Sequence, residues 1–533
     1  MKKVFFPAAA VAAIAGIAAL GLASCGAKKQ EAAASTGPVT LSFWVQETLG
    51  KDYNTIIATT EYEKKTGVHI DWKLFPSSQN GNEAFNLMIA GGNLPDILGS
   101  THGTERINML VEGGLALALD TYIQNAGSNY NKMLQEQPQY RDMVTADDGH
   151  IYSFVYTDSG VHKDSEYKMW VKTEWLAKLG LKEPSTPQEF ADMIRAFIEQ
   201  DPNGNGKKDE LPLVGWVNGR QADPINFLMN PYQLFREGYH YRDDSGKVIF
   251  IANTDGWRDG LRYLASLYKQ GLIMPETYVQ DETQFKNLLN RPSEEAIVGV
   301  FPAWYQGAYI DHTVLNWNDY TAISPLKGPS GLQQTAARKG GNFNLNGIIT
   351  TACKNPDAAF AWMDYFLSDA GNELSMFGVE GVTFERVDAP DWNGKSPSIK
   401  LHPDFDKLNT IMMPWNSGTV PRYDKAAVRY STTADMSRIE ADNTYVLVEA
   451  AKKYEPYYVW HNIPDIVWCS DQDILTKRTD YATVFNDFIK TEYTAFIRGD
   501  KDINSDAAWN AYKAELDRLG LADYIATLQK YYN

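Results

Sequence analysis

Between Val39 and Leu98 the hydrophobic spacing switches repeatedly between the strand period and the helical period. Val39, Leu41 and Phe43 alternate with Thr40, Ser42 and Trp44, the pattern of a strand with one buried face. A helical stretch through Tyr62, Glu63, Lys64 and Lys65 stops at Gly67, a C-cap residue. Val68, Ile70, Trp72 and Leu74 alternate again, Phe85 to Ile89 reads as a second helix halted by Gly91-Gly92, and Leu94 to Leu98 reads as a third strand. Strand–helix–strand–helix–strand predicts the opening of an open parallel α/β sheet. Ligands on such sheets gather at the carboxyl ends of the strands. Those ends carry Gln46-Glu47-Thr48 and Ser100-Thr101-His102.

The N-terminus has another character. Lys2 and Lys3 precede an almost wholly apolar run from Val4 to Leu22, followed by Leu22-Ala23-Ser24-Cys25-Gly26. A basic start, an apolar run and small residues at a cleavage point describe an export signal over residues 1–24. The Cys after Leu-Ala-Ser resembles the lipobox of bacterial lipoproteins, whose Cys bears the lipid, so Cys25 is the expected lipidation site. Residues 25–38 are small and polar and cannot offset the entropy of ordering, which predicts a flexible tether. The expected place is the outside of a bacterial membrane, facing the periplasm or the cell exterior.

Removing 24 residues from 533 leaves 509, enough for two or more lobes. No second apolar run reaches the ~18 residues that span a bilayer. The formal charge of −17 argues against nucleic acid, and against attraction to anionic lipid headgroups. Cys353 and Cys469 are the other cysteines; one disulfide and two free thiols are both open. Thr186, Pro187 and Glu189 supply a cap, a first-turn proline and a capping-box acid for a helix continued by Phe190, Met193, Ile194, Phe197 and Ile198. Trp509, Tyr512, Leu516 and Leu519 form an apolar stripe expected to be core.

Several stretches together resemble one family. They are Met88-Ile-Ala-Gly-Gly-Asn-Leu-Pro-Asp96, Lys172-Thr-Glu-Trp-Leu-Ala-Lys-Leu-Gly180 with Pro184 to Phe190, Gly378-Val-Glu-Gly381, and Phe496-Ile-Arg-Gly499 with Trp509, Tyr512 and Gln529. In order and spacing the chain resembles the extracellular solute-binding proteins of ABC importers, family 1, in their large oligosaccharide-binding lipoprotein branch. The resemblance implies an α/β fold of the periplasmic-binding type II, with two lobes, a hinge and a helix-rich C-terminal part. The expected division is 39–157 for lobe 1, 158–317 for lobe 2, 318–368 returning to lobe 1, and 369–533 as a helix-rich part of lobe 2. Tyr320 to Pro325 and Gly347 to Thr351 are the expected returning strands.

The resemblance also implies a monomer that carries a carbohydrate to an ABC permease. Gly299-Val-Phe-Pro-Ala-Trp304 resembles the stretch that supplies an aromatic platform in maltodextrin-binding relatives, so Trp304 is the leading ligand contact. Fourteen Trp and 30 Tyr suit sugar rings, whose C–H faces are apolar. Trp44 and Tyr156 are further candidate platforms, with Gln46, Glu47 and His102 binding hydroxyls. Trp415, Trp460 and Trp468 either extend the cleft or fill the second lobe.

Asp201-Pro-Asn203-Gly-Asn205-Gly206-Lys207-Lys-Asp209-Glu210 places oxygen-bearing side chains at loop positions 1, 3, 5, 9 and 10, with Gly206 where an EF-hand loop turns. Asp201, Asn203, Asn205, Lys207 through its carbonyl, Asp209 and Glu210 are the expected ligands of a structural Ca²⁺. Position 12 is Pro212, so Glu210 must take the EF-hand glutamate's part, as similar loops in alginate-binding relatives imply; a metal-free Asn-Gly turn is the other reading. No Gly-x-Ser-x-Gly, His-Glu-x-x-His or P-loop is present, and the eight His lack metal-ligand spacing. A binding protein without catalytic residues is therefore expected; a glycoside hydrolase and a peptide-binding lipoprotein are the alternatives.

Overall fold

The structure, a computed structural model, describes residues 39–46, 52–75, 80–99, 104–125, 127–158, 163–316, 318–338, 342–405, 408, 419–429, 431–434, 443–464 and 466–532. Segments 1–24 and 25–38 with Cys25, and also Glu47, His102, Trp415 and the side chain of Gln46, lie outside the described residues. In chain order the strands are β1 (Val39–Gln46), β2 (Val68–Phe75), β3 (Ile97–Leu98), β4 (Ser153–Asp158), β5 (Lys168–Lys172), β6 (His240–Arg242) and β7 (Val248–Phe250). They continue with β8 (Val300–Ala303), β9 (Tyr320–Ala322), β10 (Thr335–Ala337), β11 (Asn342–Ile349), β12 (Phe384–Val387), β13 (Ser398–Leu401) and β14 (Tyr458–Trp460).

The first lobe is built on a five-stranded sheet in the order β2-β1-β3-β11-β4. Its β1 behaves as the alternation predicts, with Leu41, Phe43 and Val45 fully buried. Gly67 ends the preceding helix at φ 68°, where a glycine carries no Cβ penalty. The opening strands are parallel, β1 with both β2 and β3, but β11 joins β3 and β4 antiparallel. The sheet is therefore mixed, not all parallel. At its edge, β2 keeps the alternation only for Val68 and Ile70; Leu74 is exposed and Phe75 turns inward. The Pro-Asp step before β3 has a structural purpose. Asp96 accepts from the Ser42 amide at 2.8 Å and the Ser42 hydroxyl at 2.7 Å, fixing β3 against β1.

The second lobe surrounds a three-stranded antiparallel sheet, β8-β5-β9. Trp170, Trp175 and Trp257 are fully buried there, each contributing on the order of 1.5–3 kcal/mol by leaving water. The helix Pro187–Glu199 starts as expected, with the Thr186 hydroxyl accepting from the Glu189 amide at 3.2 Å. Glu189 itself reaches back to the Ser185 amide, one residue before the cap. Trp509, Tyr512 and Leu516 pack into this core as predicted.

Two expectations about chain passage change. Tyr320–Pro325 does not return to the first lobe, because β9 hydrogen-bonds to β5 and Tyr320 and Ala322 are buried in the second core. The return to the first sheet is β11. Segment 369–533 is not confined to the second lobe: Val420, Tyr423 and Ile466 pack into the first core, while Val446 to Tyr454 and Phe485 to Leu528 contribute to the second. Cys353 and Cys469 are both free thiols. No helix among the described residues is long and apolar enough to cross a membrane.

Candidate functional site

Three of the passages between the two cores are tied together by hydrogen bonds. The Arg338 amide donates to Asp164 O at 2.8 Å, and the Ser165 and Thr335 hydroxyls meet at 2.9 Å. Strands β10 and β14 pair in parallel, and the His461 amide continues that pairing to Ala337 O. The Arg242 amide in turn donates to His461 O at 3.0 Å. These ties define the joint between the lobes.

Trp304 emerges from this joint at the end of β8, whose four residues are all buried. Its carbonyl accepts from Lys168 Nζ at 3.3 Å. Lys168 is almost wholly buried, donates also to Ser165 O, and lies over the Tyr454 ring. Burial pushes its ammonium down to about 7, against the opposing pull of Glu166 and Asp164. One lysine thus holds the backbone of Trp304 to the first residues after the crossing. The Trp304 ring is partly exposed, with Arg220 Cζ 5.0 Å and Lys163 Nζ 5.8 Å from its centroid.

In the first sheet, Tyr156 lies on β4. Segment 420–424 runs beside β4, with the Thr157 amide donating to Arg422 O and the Arg422 amide to Val155 O, both at 2.8 Å. That pairing buries Arg422, whose guanidinium donates to the Tyr156 hydroxyl at 3.4 Å and pairs with Asp424 at 3.2 Å. Arg429 reaches the same carboxylate through Nε at 2.9 Å and through Nη2. A bulge in β11 at Gly347, φ 101°, turns Asn346 to donate to Val420 O and steady the segment. Lys163 is pushed down to about 7 by burial and then by Arg429 and Arg422.

The Arg422 guanidinium lies over the Tyr156 ring, whereas Arg220 and Lys163 lie over Trp304. Trp44 stacks on Phe75 with centroids 3.8 Å apart and lies 6.0 Å from Phe85, whose ring carries the Arg106 guanidinium. Trp468 donates to Met143 O and packs on the first core, whereas Trp460 is exposed on β14. Lys163, Arg220, Arg422, Asp424 and Arg429 escaped the sequence reading. Arg429 ends the short helix Ala426–Arg429, the others lie outside the longer helices and strands, and none follows a hydrophobic period.

Asp201 folds the predicted cation loop by accepting from the amides of Gly204, Asn205 and Gly206 at 2.9–3.2 Å, at a left-handed φ of 51°. Asn203 and Asn205 both direct amides to Asp209, and the Lys207 amide donates to Asn205 Oδ1. Glu210 is buried, and its Oε2 has no hydrogen-bond partner. Burial first, then Asp201 and Asp209, raises its carboxyl above the ordinary range. No three Asp, Glu, His or Cys side chains among the described residues already converge as an ion-holding group. The donor set still fits a hard cation, since the orphaned Glu210 oxygen and the crowded carboxylates are what a divalent ion would satisfy.

Two α/β lobes, each with its own sheet and core and joined by hydrogen-bonded crossings, define a two-lobed binding fold. The family model for bacterial extracellular solute-binding proteins matches residues 47–373, and the chain belongs to that family. The fructooligosaccharide ABC transporter substrate-binding protein FusA of Streptococcus pneumoniae is 28% identical over 503 residues, 91% of this chain and 88% of FusA. The polygalacturonan/rhamnogalacturonan-binding protein YtcQ of Bacillus subtilis is 24% identical, over 67% of this chain and 69% of YtcQ. The solved structure of S. pneumoniae FusA, an EF-hand mutant in complex with fructo-nystose, matches with a TM-score of 0.72 at 27% identity, covering 92% of this chain and 98% of that one.

The joint carries its own pH dependence. His240 and His461 are buried beside Arg236, and burial lowers them to about 4 and about 3 respectively. Unfolded histidine titrates near 6.5, so below that pH the unfolded chain takes up protons that the folded chain refuses. Stability should fall as pH drops from about 7 to about 5, read as a lower urea midpoint, and His461→Gln should flatten the slope; a flat wild-type profile would contradict this assignment.

Proposed function

We propose that this protein is the lipid-anchored receptor of an ABC importer, capturing an oligosaccharide between its lobes and delivering it to the permease. The single observation that carries the reading is Trp304, partly exposed at the joint and held by buried Lys168. Family membership and the FusA and YtcQ likenesses, both to glycan-binding proteins by name, support the same reading. A sugar ring would lie against Trp304 beside Tyr156, with the charged groups of the joint bonding hydroxyls. Gln46, Glu47, His102 and Trp44, at the strand ends of the first lobe, would close from the other side. Capture requires no covalent step, and the sugar is released intact to the membrane partner. Cys25 would bear the lipid and residues 25–38 would act as tether, keeping a monomeric receptor near its permease.

Calorimetry against an oligosaccharide panel tests the reading, with products checked by chromatography. Trp304→Ala should weaken the bound sugar at least tenfold, or ~1.4 kcal/mol. Unchanged affinity would remove Trp304 from the site, and sugar cleavage would replace the receptor by an enzyme.

Calcium is the proposed structural ion of the loop from Asp201 to Glu210, with Asp201, Asn203, Asn205, the Lys207 carbonyl, Asp209 and Glu210 as its ligands. When bound it neutralises the crowded carboxylates and fixes the loop. Chelation should lower the melting temperature of the wild type, and re-added Ca²⁺ should restore it. In Glu210→Gln both effects should shrink; a wild type indifferent to chelator and Ca²⁺ would exclude the site.

A further inference from the structure

A cavity of about 470 Å³ lies where the helix Thr104–Glu112, packed on the first core, meets the helices Gln472–Arg498 and Leu521–Tyr531, packed on the second. Its volume falls in the ~300–1,000 Å³ range of small-molecule sites. Thr104 and Val467 form one wall, the Thr104 hydroxyl donating to Val467 O at 3.2 Å. In another wall the Arg478 guanidinium lies over the Tyr531 ring, 4.4 Å from its centroid. The ring alone holds it: Arg478 Nε is buried without a hydrogen-bond partner, and no ion pair engages the side chain among the described residues. The other N–H groups of the guanidinium are left for acceptor oxygens in the cavity. The charge of the walls then selects the ligand. Glu105 and Asp480 line the cavity with Arg478, so an anion would meet two carboxylates for one guanidinium. An uncharged sugar ring suits all three, its hydroxyls donating to the carboxylates and accepting from the guanidinium.

The helix Gln472–Arg498 runs from this cavity towards Trp304. Its Phe485 and Ile489 are buried in the second core, and the opposite face presents Thr476, Asp480, Thr483 and Asp487, all exposed. Thr476 and Asp480 are walls of the cavity. The same face reaches Lys490, ~15 Å along the axis beyond Asp480. The Lys490 ammonium donates to Asn218 Oδ1, on the loop that carries Arg220 to the Trp304 ring. We infer that this cavity is a second sugar subsite, seating an uncharged unit of an oligosaccharide against Arg478, Glu105 and Asp480 while another unit lies on Trp304. This rests on the oligosaccharide-receptor reading and adds a length to its substrate class. A single ring cannot occupy both ends of the helix face, whereas a chain of several can.

The test is calorimetry of the whole protein with sucrose, kestose, nystose and fructofuranosyl-nystose, with malto-oligosaccharides of the same lengths, and with an oligogalacturonate. In a neutral series that binds, affinity should rise at least tenfold from the shortest member bound to the longest. Arg478→Gln should abolish most of that gain and leave the shortest member within about twofold of the wild type. Should Arg478→Gln fail to fold, Asp480→Asn, on an exposed side chain, makes the same comparison. Trp304→Ala should weaken short and long members alike. The inference is overturned, and the receptor reading left standing, by affinity that does not grow with length or by a gain indifferent to both substitutions. Equal losses on short and long sugars, or an oligogalacturonate bound tighter than every neutral probe, do the same. Binding of none of the probes also overturns it, whereas cleavage of a bound sugar removes the receptor reading as well.

Discussion

The rest of this molecule depends on how its chain crosses between two hydrophobic cores. Each core is closed by its own sheet, and neither is continuous with the other. What connects them is polar: the Arg338–Asp164 backbone bond, the Ser165–Thr335 hydroxyl pair, and the β10–β14 ribbon extended through His461 to Arg242. Hydrogen bonds of this kind tie the crossings together. Each is worth about 0.5–1.5 kcal/mol net, enough to set direction and too little to lock the joint.

Burial of charge around the joint follows from the same topology. Lys168 and Lys172 are buried because β5 is the central strand of its sheet, with β8 and β9 on either side. Lys172 finds Ser293 Oγ at 2.8 Å and Asp319 at 3.7 Å, while Lys168 finds backbone carbonyls, one of them Trp304. Arg422 and Asp424 are buried because their segment pairs along β4. The strands thus carry charge into positions that a helix or surface loop would leave in water. Paired groups of this kind hold geometry well and contribute little net stability.

Much of this architecture is legible in the amino-acid order where the cause is local. The Gly67 stop and the Thr186 cap report contacts within a few residues, and the β1 alternation and the Trp509–Tyr512–Leu516 stripe are written in local spacing although the faces they bury meet distant partners such as Trp362 and Ala252. Trp304 was reachable through the resemblance of Gly299–Trp304. The antiparallel placing of β11, the pairing of β9 with β5 and the return of Val420 and Ile466 to the first core were not legible, because partner strands lie far away in the chain and nothing local selects them. The cations failed for a related reason. Lys163, Arg220, Arg422 and Arg429 are individually ordinary charged residues, and only tertiary packing makes a cluster of them. Gln46, Glu47 and His102 remain proposals drawn from strand ends alone.

The central claim is that two lobes close on a ligand about this joint. Small-angle X-ray scattering, with and without an oligosaccharide whose binding calorimetry has established, tests it most directly. Closure predicts a radius of gyration that falls on ligand addition and saturates at the same concentration as the heat of binding. Superimposable scattering curves from the free and fully bound protein would contradict it.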